Sequence, residues 1–453
     1  MTPDCFKAYD VRGVVGTDLD TRLAHRIGRA FARATGARAV VLGQDNRASS
    51  PALADAVAAG LMAEGAAVHD LGLCGTEEVY FATDHLGACG GVMVTASHNP
   101  ADQNGMKMVG RGAAPLAPDA FAAIRALARA ADPGPPRPGG SRSGRAAVRT
   151  AYVARVLSFL DPDGLHPLTI LVDAGHGAAG PTFDAIAEGL LARGVPWRFV
   201  RRNHAPDPAF PNGVPNPMLP ANRPPTGRAV RAAGADLGVA WDGDFDRCFL
   251  WDHRGRFAAG EHVVALLAGA FLSRAPGGVI VHDPRALWCV ADAVAAGGGR
   301  SVLARTGHAH MKRAMRDSGA VYGGELSAHH YFRDFMACDS GMIPWILVAG
   351  LLARQGARLA ALIDDRRARF PSSGEINFRP SDPEAAIARV RDALGPLALA
   401  RDDTDGLSLA FAGWRLNLRR SGTEALLRLN VEARGDAALV RRGVARATAL
   451  IAG

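Results

Sequence analysis

Three times along the chain, strand candidates alternate with helical patterns, and each time the third strand candidate runs into a polar loop. In the first block the strands are read at residues 39–42, 67–71 and 91–95, with a helix over 51–64. In the second they fall at 168–172, 197–200 and 237–240, and in the third at 279–282, 301–304 and 321–322. Such alternation specifies α/β architecture. The three closing loops hold Ser97, Asp242 and Glu325, which reads as one unit used three times with different chemistry at the same topological position. Loops at the carboxyl ends of α/β strands are where such sheets bind ligands, so the three loops are expected to converge on one cleft.

A chain of 453 residues with 48% apolar content holds several cores, and three or four domains are expected. The Pro/Gly/Ser-rich stretch 132–145 cannot sustain a helix or a central strand and reads as the first interdomain linker. From about Pro371 the pattern changes to short strands, a Gly-containing loop and a closing helix.

Other classes fall away. The longest apolar stretches, 263–272 and 343–352, are too short to cross a bilayer and read as buried helices, so no membrane partner is expected. Met1-Thr-Pro-Asp-Cys-Phe-Lys7 has neither a basic region followed by an apolar core nor a small-residue cleavage site, so it does not read as a secretory signal. The six cysteines form no CxxC pair and fit a reducing, cytoplasmic setting. A net charge of +8 comes from dispersed Arg without a basic run, which argues against nucleic acid and for a small anionic substrate. Against this Arg bias, Lys7, Lys107 and Lys312 are the only lysines. Lysine can give up its proton when desolvated and arginine effectively cannot, which marks Lys107 as a candidate proton-transfer group.

Four loops carry the chemistry. In Val94-Thr-Ala-Ser-His-Asn-Pro100 a strand ends in a hydroxyl residue followed by turn formers, exposing Ser97 at the strand end. Ser97 and His98 are adjacent, and neighbouring side chains rarely face one another, so no triad is inferred. In Trp241-Asp-Gly-Asp-Phe-Asp-Arg247 three carboxylates alternate and point at one centre, with Gly243 permitting a tight loop. Hard oxygen ligands at that spacing suit Mg²⁺. An EF-hand would need glycine at the sixth position and glutamate at the twelfth, where Arg247 and His253 stand. An aspartyl phosphatase would place its DxD pair at the first strand rather than mid-chain. Gly323-Gly-Glu-Leu-Ser-Ala-His-His-Tyr331 sets Glu325 close to Ser327, a pair suited to sugar hydroxyls, although Gly-Glu-x-Ser is also a competent helix start. Arg419-Arg-Ser-Gly-Thr-Glu424, followed by Arg428, offers hydroxyls, backbone N–H groups and guanidinium forks for a phosphate, without the lysine of a nucleotide-binding loop.

In that order, and supported by Phe6-Lys-Ala-Tyr-Asp-Val-Arg-Gly13, Asn104-Gly-Met-Lys107, Thr306-Gly-His308, Ala328-His-His-Tyr-Phe-Arg-Asp334 and Trp414-Arg-Leu-Asn417, these motifs resemble the α-D-phosphohexomutase superfamily from end to end. Within it the chain is similar to the bacterial phosphomannomutases. The resemblance implies a four-domain heart-shaped architecture, with three similar α/β domains carrying mixed sheets and a smaller C-terminal α+β domain. The boundaries read from the sequence are 1–145, 146–255, 256–370 and 371–453. It implies that Ser97 carries a phosphoryl group, that Asp242, Asp244 and Asp246 bind one Mg²⁺ together with Ser97, and that Arg247 stabilises the transferring charge. Lys107, His98 and His308 become candidates for proton transfer or positioning, with Lys107 expected to have a lowered pKa and to act as base. Tyr9 and Arg12 line the catalytic loop. Glu325 and Ser327 hold sugar hydroxyls, and Arg419, Ser421, Gly422, Thr423 and Arg428 the non-reacting phosphate, with Arg285 and His329 as further contacts. Ala425 stands where many relatives have proline, and the extra charge of Arg420 could face ligand or water.

The implied reaction interconverts mannose 6-phosphate and mannose 1-phosphate through a hexose 1,6-bisphosphate, which also serves as activator, in support of GDP-mannose synthesis. Phosphoglucomutase activity is the alternative, and a serine-dependent metal phosphomonoesterase a more distant one. Leu326 replaces the glutamine expected of a glucosamine-phosphate enzyme. A monomer or homodimer is expected.

Overall fold

The computed structural model describes residues 5–130, 134–421 and 426–453. The chain forms two compact units, Met1–Phe257 with Asp334–Ala357, and Ala258–Arg333 with Arg358–Gly453.

The first unit carries two sheets. Strands β1 (Val11–Val14), β2 (Ala39–Gln44), β3 (Ala67–Leu73), β4 (Gly90–Val94), β5 (Gln103–Gly110) and β6 (Ser141–Gly144) order as β1-β5-β4-β2-β3-β6. Strands β7 (Leu168–Asp173), β8 (Trp197–Arg202), β9 (Leu237–Trp241), β10 (Cys248–Asp252) and β11 (Phe257–Ala258) order as β11-β10-β9-β7-β8. In the second unit β12 (Val279–His282), β13 (Arg300–Leu303), β14 (Tyr322–Gly324) and β15 (His330–Phe332) run β13-β12-β14-β15. After β16 (Cys338–Asp339), the last sheet is built from β17 (Ser372–Phe378), β18 (Ala400–Asp402), β19 (Leu407–Ala410), β20 (Trp414–Arg420) and β21 (Leu427–Ala433). Its order is β17-β21-β20-β19-β18, antiparallel throughout, with helices Pro383–Leu394 and Ala437–Ala452 packed over it.

The threefold pattern read from the sequence is present in the topology. The cores β3-β2-β4-β5, β8-β7-β9-β10 and β13-β12-β14-β15 share one order: three parallel strands, then a fourth antiparallel to the third. Ser97, the acidic triplet and Glu325 all lie between the third and fourth strands of their cores. Strands buried on both faces need continuous apolar sequence, which Gly90-Gly-Val-Met-Val94 and Leu237-Gly-Val-Ala-Trp241 supply. Each of the three loops also holds a non-glycine residue in the left-handed region: Ser97 at φ 54°, Phe245 at 44° and Ala328 at 67°. Side chains avoid that region unless their surroundings enforce it, and such positions concentrate where function fixes geometry.

Helices follow their local signals. Thr21–Thr35 begins at Asp20, whose carboxylate accepts from Leu23 N, and ends at Gly36 with φ 63°. It buries Ala24, Ile27 and Phe31 on one face. The apolar stretches 263–272 and 343–352 lie within the largely buried helices Gly260–Arg274 and Met342–Gln355. No single helix among the described residues is long and apolar enough to cross a membrane.

The linker reading needs correction. Ser141–Gly144 is a strand, pairing in parallel with Ala67–Asp70 at the sheet edge. An edge strand hydrogen-bonds on one side only, so its Gly/Ser content is tolerated and composition conceals it. Asp132 and Pro133 of that stretch lie outside the described residues.

Candidate active site

The nucleophile candidate is held by a collar of buried hydrogen bonds. Ser97 N donates to Thr95 Oγ1 at 2.8 Å, and Thr95 Oγ1 donates to Asp45 Oδ2 at 2.7 Å. From β2's end, Arg47 donates to four carbonyls of the loop: Ser97 and Asn99 through Nη2 (2.8 and 2.7 Å), Pro100 and Gln103 through Nη1 (2.7 and 2.9 Å). Arg47 is 1% exposed and its charge is met by Asp45 at 3.2 Å. On the other side Arg12 reaches Asn99 Oδ1 at 2.9 Å. Tyr9 lies half-buried in the turn before β1. Neither Arg47 nor Asp45 was singled out from the sequence. A DxR triplet just past a strand was the available signal.

Ser97 Oγ donates to Asp242 Oδ2 at 2.7 Å and lies 3.0 Å from His98 Nδ1. Adjacent side chains meet here, contrary to the sequence reading, where the left-handed backbone at Ser97 turns the loop. Arg247 closes the group, its Nη2 donating to His98 Nδ1 at 2.6 Å and its Nε 3.2 Å from Asp242 Oδ2. Burial of the ring's inner edge, with Arg247, Arg12 and Lys107 nearby, holds His98 well below the usual imidazole range. Its Nδ1 lone pair is taken by Arg247, so at this nitrogen His98 positions Arg247 rather than accepting a proton.

Asp242, Asp244 and Asp246 are fully buried, and one carboxylate oxygen of each lies within 4.8 Å of the others, as their alternation required. Burial, opposed by Arg247 and reinforced by Asp246 and Asp244, pushes Asp242 up to about 7. The residues fit a divalent cation on two counts. Asp242 Oδ1 and Asp244 Oδ1 are buried without a hydrogen bond among the described residues, and a cation already sits between carboxylates. That cation is Lys107, whose Nζ contacts Asp244 Oδ2 at 2.7 Å and also Asp246 Oδ2.

This overturns the expected lowering of the Lys107 pKa. Burial acts to lower it, but Asp244 and Asp246 outweigh burial and the net direction is upward. So placed, Lys107 is an ion-pair partner of both carboxylates. Asp244 is further fixed by Thr76, with Oγ1 to Oδ2 at 2.5 Å.

Gly243 is required by a close approach. A Cβ there would lie 2.5 Å from Ser97 O. Gly243→Ala is therefore expected to part the serine and acidic loops, lowering stability by about 1–3 kcal/mol and kcat by about 100-fold. Thermal unfolding and steady-state kinetics check this, and an active, stable variant would exclude it.

The second unit gathers a separate set. Glu325, 1% exposed, accepts from Gly307 N at 2.9 Å and from Tyr331 OH at 2.6 Å. His329 Nδ1 lies 3.4 Å from Glu325 Oε2 and 3.3 Å from Ser327 Oγ. No helix starts at Glu325; the segment turns between β14 and β15. His308 is buried at the first turn of helix His308–Ser318, next to that Gly307. Arg285 is enclosed by protein groups: Asp283 at 2.7 Å, Ser327 Oγ at 3.2 Å, Glu375 at 3.2 Å and Glu325 at 3.6 Å. It organises the loop from within.

Arg419 and Arg428 face each other across β20 and β21. Both pair with Glu375, each at 3.3 Å, and Asp405 lies 3.8 Å from Arg419. Burial works against the Glu375 charge, but Arg285, Arg428 and Arg419 more than offset it and hold the carboxyl below its usual range. Glu375 was missed in the sequence, where it is one acidic residue in a strand. Ser421 N donates to Leu426 O at 2.9 Å, closing the loop base, while Gly422, Thr423 and Ala425 lie outside the described residues. Arg420 turns to the surface and pairs with Glu384 at 2.8 Å.

A serine on a strand-end loop, set among a buried acidic triplet and arginine, together with three repeated α/β cores and an antiparallel C-terminal sheet, defines a phosphosugar mutase architecture. Family models described as phosphoglucomutase/phosphomannomutase alpha/beta/alpha domains I, II and III match residues 3–134, 150–255 and 259–370, and the C-terminal domain model matches 375–450. The chain belongs to the phosphoglucomutase/phosphomannomutase family, and it is a phosphohexomutase, an isomerase that transfers a phosphoryl group. It is 53% identical over 441 residues to a protein of Xanthomonas campestris pv. campestris named phosphohexose mutases, covering 97% of each chain. It is 51% identical over 440 residues to a phosphomannomutase of Salmonella montevideo, covering 96% of each. A phosphoglucomutase/phosphomannomutase family protein from Burkholderia thailandensis shares the fold at a TM-score of 0.87 and 32% identity, over 98% of this chain and 96% of that one.

Proposed function

We propose that this phosphohexomutase interconverts mannose 6-phosphate and mannose 1-phosphate through phospho-Ser97 and a hexose 1,6-bisphosphate. The observation that carries this is Ser97 Oγ, 2.7 Å from an oxygen of a buried acidic triplet that also fits a divalent cation. The names of the relatives at about half identity support mannose phosphate as substrate. GDP-mannose supply follows from that product.

Asp242, Asp244, Asp246 and Ser97 would hold Mg²⁺, which when bound supplies Lewis-acid polarisation of phosphoryl oxygens. Asp242 Oδ2 is the acceptor available to the Ser97 proton when serine is rephosphorylated. Arg247, oriented by Asp242 and His98, is placed within 3.5 Å of Ser97 Oγ, where charge develops on the transferring group. Lys107 screens Asp244 from Asp246 and keeps the triplet assembled.

For the sugar, Glu325 retains acceptor capacity, since each carboxylate oxygen takes more than one hydrogen bond, and Ser327 adds a hydroxyl beside it. Arg419, Ser421, Gly422, Thr423 and Arg428 are the residues assigned to the non-reacting phosphate. Free Ser97 is inert toward monophosphates, so a hexose 1,6-bisphosphate is needed to prime it.

The test supplies Mg²⁺, a trace of hexose 1,6-bisphosphate and, in turn, mannose 1-phosphate, glucose 1-phosphate and glucosamine 1-phosphate, following hexose 6-phosphate and free phosphate. Mannose 1-phosphate is expected to be isomerised with the highest kcat/KM, with activity lost to a chelator and restored by Mg²⁺. Glucose 1-phosphate ranking first would make it chiefly a phosphoglucomutase. Free phosphate as the main product would overturn the mutase mechanism.

A further inference from the structure

Glu375 sits where a ligand anion is expected. On β17 it places one carboxylate among three guanidiniums, with Arg285 at 3.2 Å and Arg419 and Arg428 at 3.3 Å. These contacts are long. Charge-assisted N–H to carboxylate bonds close to about 2.7–2.9 Å when geometry is free. Arg285 has a better partner in Asp283 at 2.7 Å, so it does not depend on Glu375. Arg419 is 4% exposed, yet its Nε donates no hydrogen bond among the described residues, which leaves a buried donor over. One carboxylate is thus shared at long range between two arginines, beside a buried Arg419 Nε that has donor capacity remaining.

We propose that Glu375 is the resident anion of the phosphate cradle: it holds Arg419 and Arg428 in place before a sugar phosphate arrives and competes with that phosphate for them afterwards. This rests on the reading above, in which Arg419 and Arg428 bind the non-reacting phosphate. A phosphate presents more oxygens than a carboxylate and makes bidentate pairs with arginine, so it displaces the weak Glu375 contacts. The displaced carboxylate remains nearby and repels the dianion. Binding is therefore weaker than two arginines alone would give, and release is faster.

That trade matters for a mutase. Its bisphosphate intermediate has to leave the cradle by one phosphate and return by the other without escaping. A cradle that gripped too tightly would trap the first orientation. Glu375 is a positioning residue that sets the strength of this grip.

The experiment compares Glu375→Gln and Glu375→Asp, each with Ser97→Ala so that no transfer occurs, by calorimetric titration with mannose 6-phosphate. With the carboxylate charge gone, Glu375→Gln is expected to bind about tenfold more tightly. Glu375→Asp, which keeps the charge but draws it back, should fall between the Glu375→Gln variant and the protein with Glu375 intact. With Ser97 restored, Glu375→Gln should lower KM and kcat together, a split that mere loosening of the cradle would not give. Weaker or unchanged binding in a folded Glu375→Gln protein would overturn the proposal, and so would a Glu375→Asp protein that binds more weakly than the protein with Glu375 intact should the glutamine variant not fold. Arg428→Gln in the same background separates the two readings. If it leaves affinity unchanged, the cradle assignment fails; if it weakens binding while Glu375→Gln does not tighten it, only the role of Glu375 fails.

Discussion

Ser97→Ala is expected to abolish hexose 6-phosphate formation, with kcat falling on the order of 10⁴-fold or more, a barrier increase of about 5.5 kcal/mol. The reason is specific to this loop. Ser97 Oγ is the hydroxyl within hydrogen-bonding distance of Asp242, and Arg247 stands 3.5 Å away, so removing it deletes the atom on which both act. Incubation with labelled hexose 1,6-bisphosphate should leave the variant unlabelled while wild type takes up one phosphoryl group at Ser97. Sugar-phosphate affinity should change little, because the residues assigned to the sugar and its distal phosphate lie on other loops. Retained mutase activity, or label on another residue, would sink the phosphoserine mechanism.

Arg47→Leu should impair both stability and catalysis, although Arg47 is not in the reacting set. The substitution strands four carbonyls, those of Ser97, Asn99, Pro100 and Gln103, and leaves Asp45 buried beside no cation. Breaking a buried ion pair by removing one partner costs about 3–5 kcal/mol. The loop also loses what keeps Ser97 at φ 54°, so misplacement of the hydroxyl should lower kcat by about 100-fold. Arg47→Lys restores the charge opposite Asp45 but not the planar fork, and should recover stability more fully than activity. Denaturant unfolding and kinetics on the same preparations separate the two effects. Wild-type activity in Arg47→Leu would show that the collar does not hold the nucleophile.

How far the sequence could be read varies with the range of the interaction concerned. The three repeated cores were legible because strand burial and helix periodicity are written over a few neighbouring residues, and the observed strands fall at or within about two residues of those read, within ordinary boundary uncertainty. Ser141–Gly144 escaped because an edge strand is held by backbone pairing to β3, which composition does not record. The convergence of Asp242, Asp244 and Asp246 was legible for the same local reason: alternate residues of one short loop share a side.

Partners and charge states were not local. Lys107 was marked out by its rarity, but the carboxylates it pairs with, Asp244 and Asp246, stand more than 130 positions further along the chain. Arg47 lies 50 positions from the serine whose carbonyl it binds. Glu375 reads as an ordinary strand residue until β17, β20 and β21 bring Arg419 and Arg428 to its carboxylate. Gly243 was read as a turn former, whereas it is needed because Ser97 O leaves no space for a Cβ.

The elements, the order of the four loops and the residue types that make phosphoryl transfer available follow from the amino-acid sequence alone, since they depend on covalent neighbours and side-chain chemistry. Which lysine pairs with buried carboxylates, which arginine binds the carbonyls of the serine loop and which glutamate meets two arginines were decided only by the folded arrangement. Coulomb energies, desolvation and steric exclusion depend on distances through space, and in this protein the groups that set them are separated by tens to hundreds of residues.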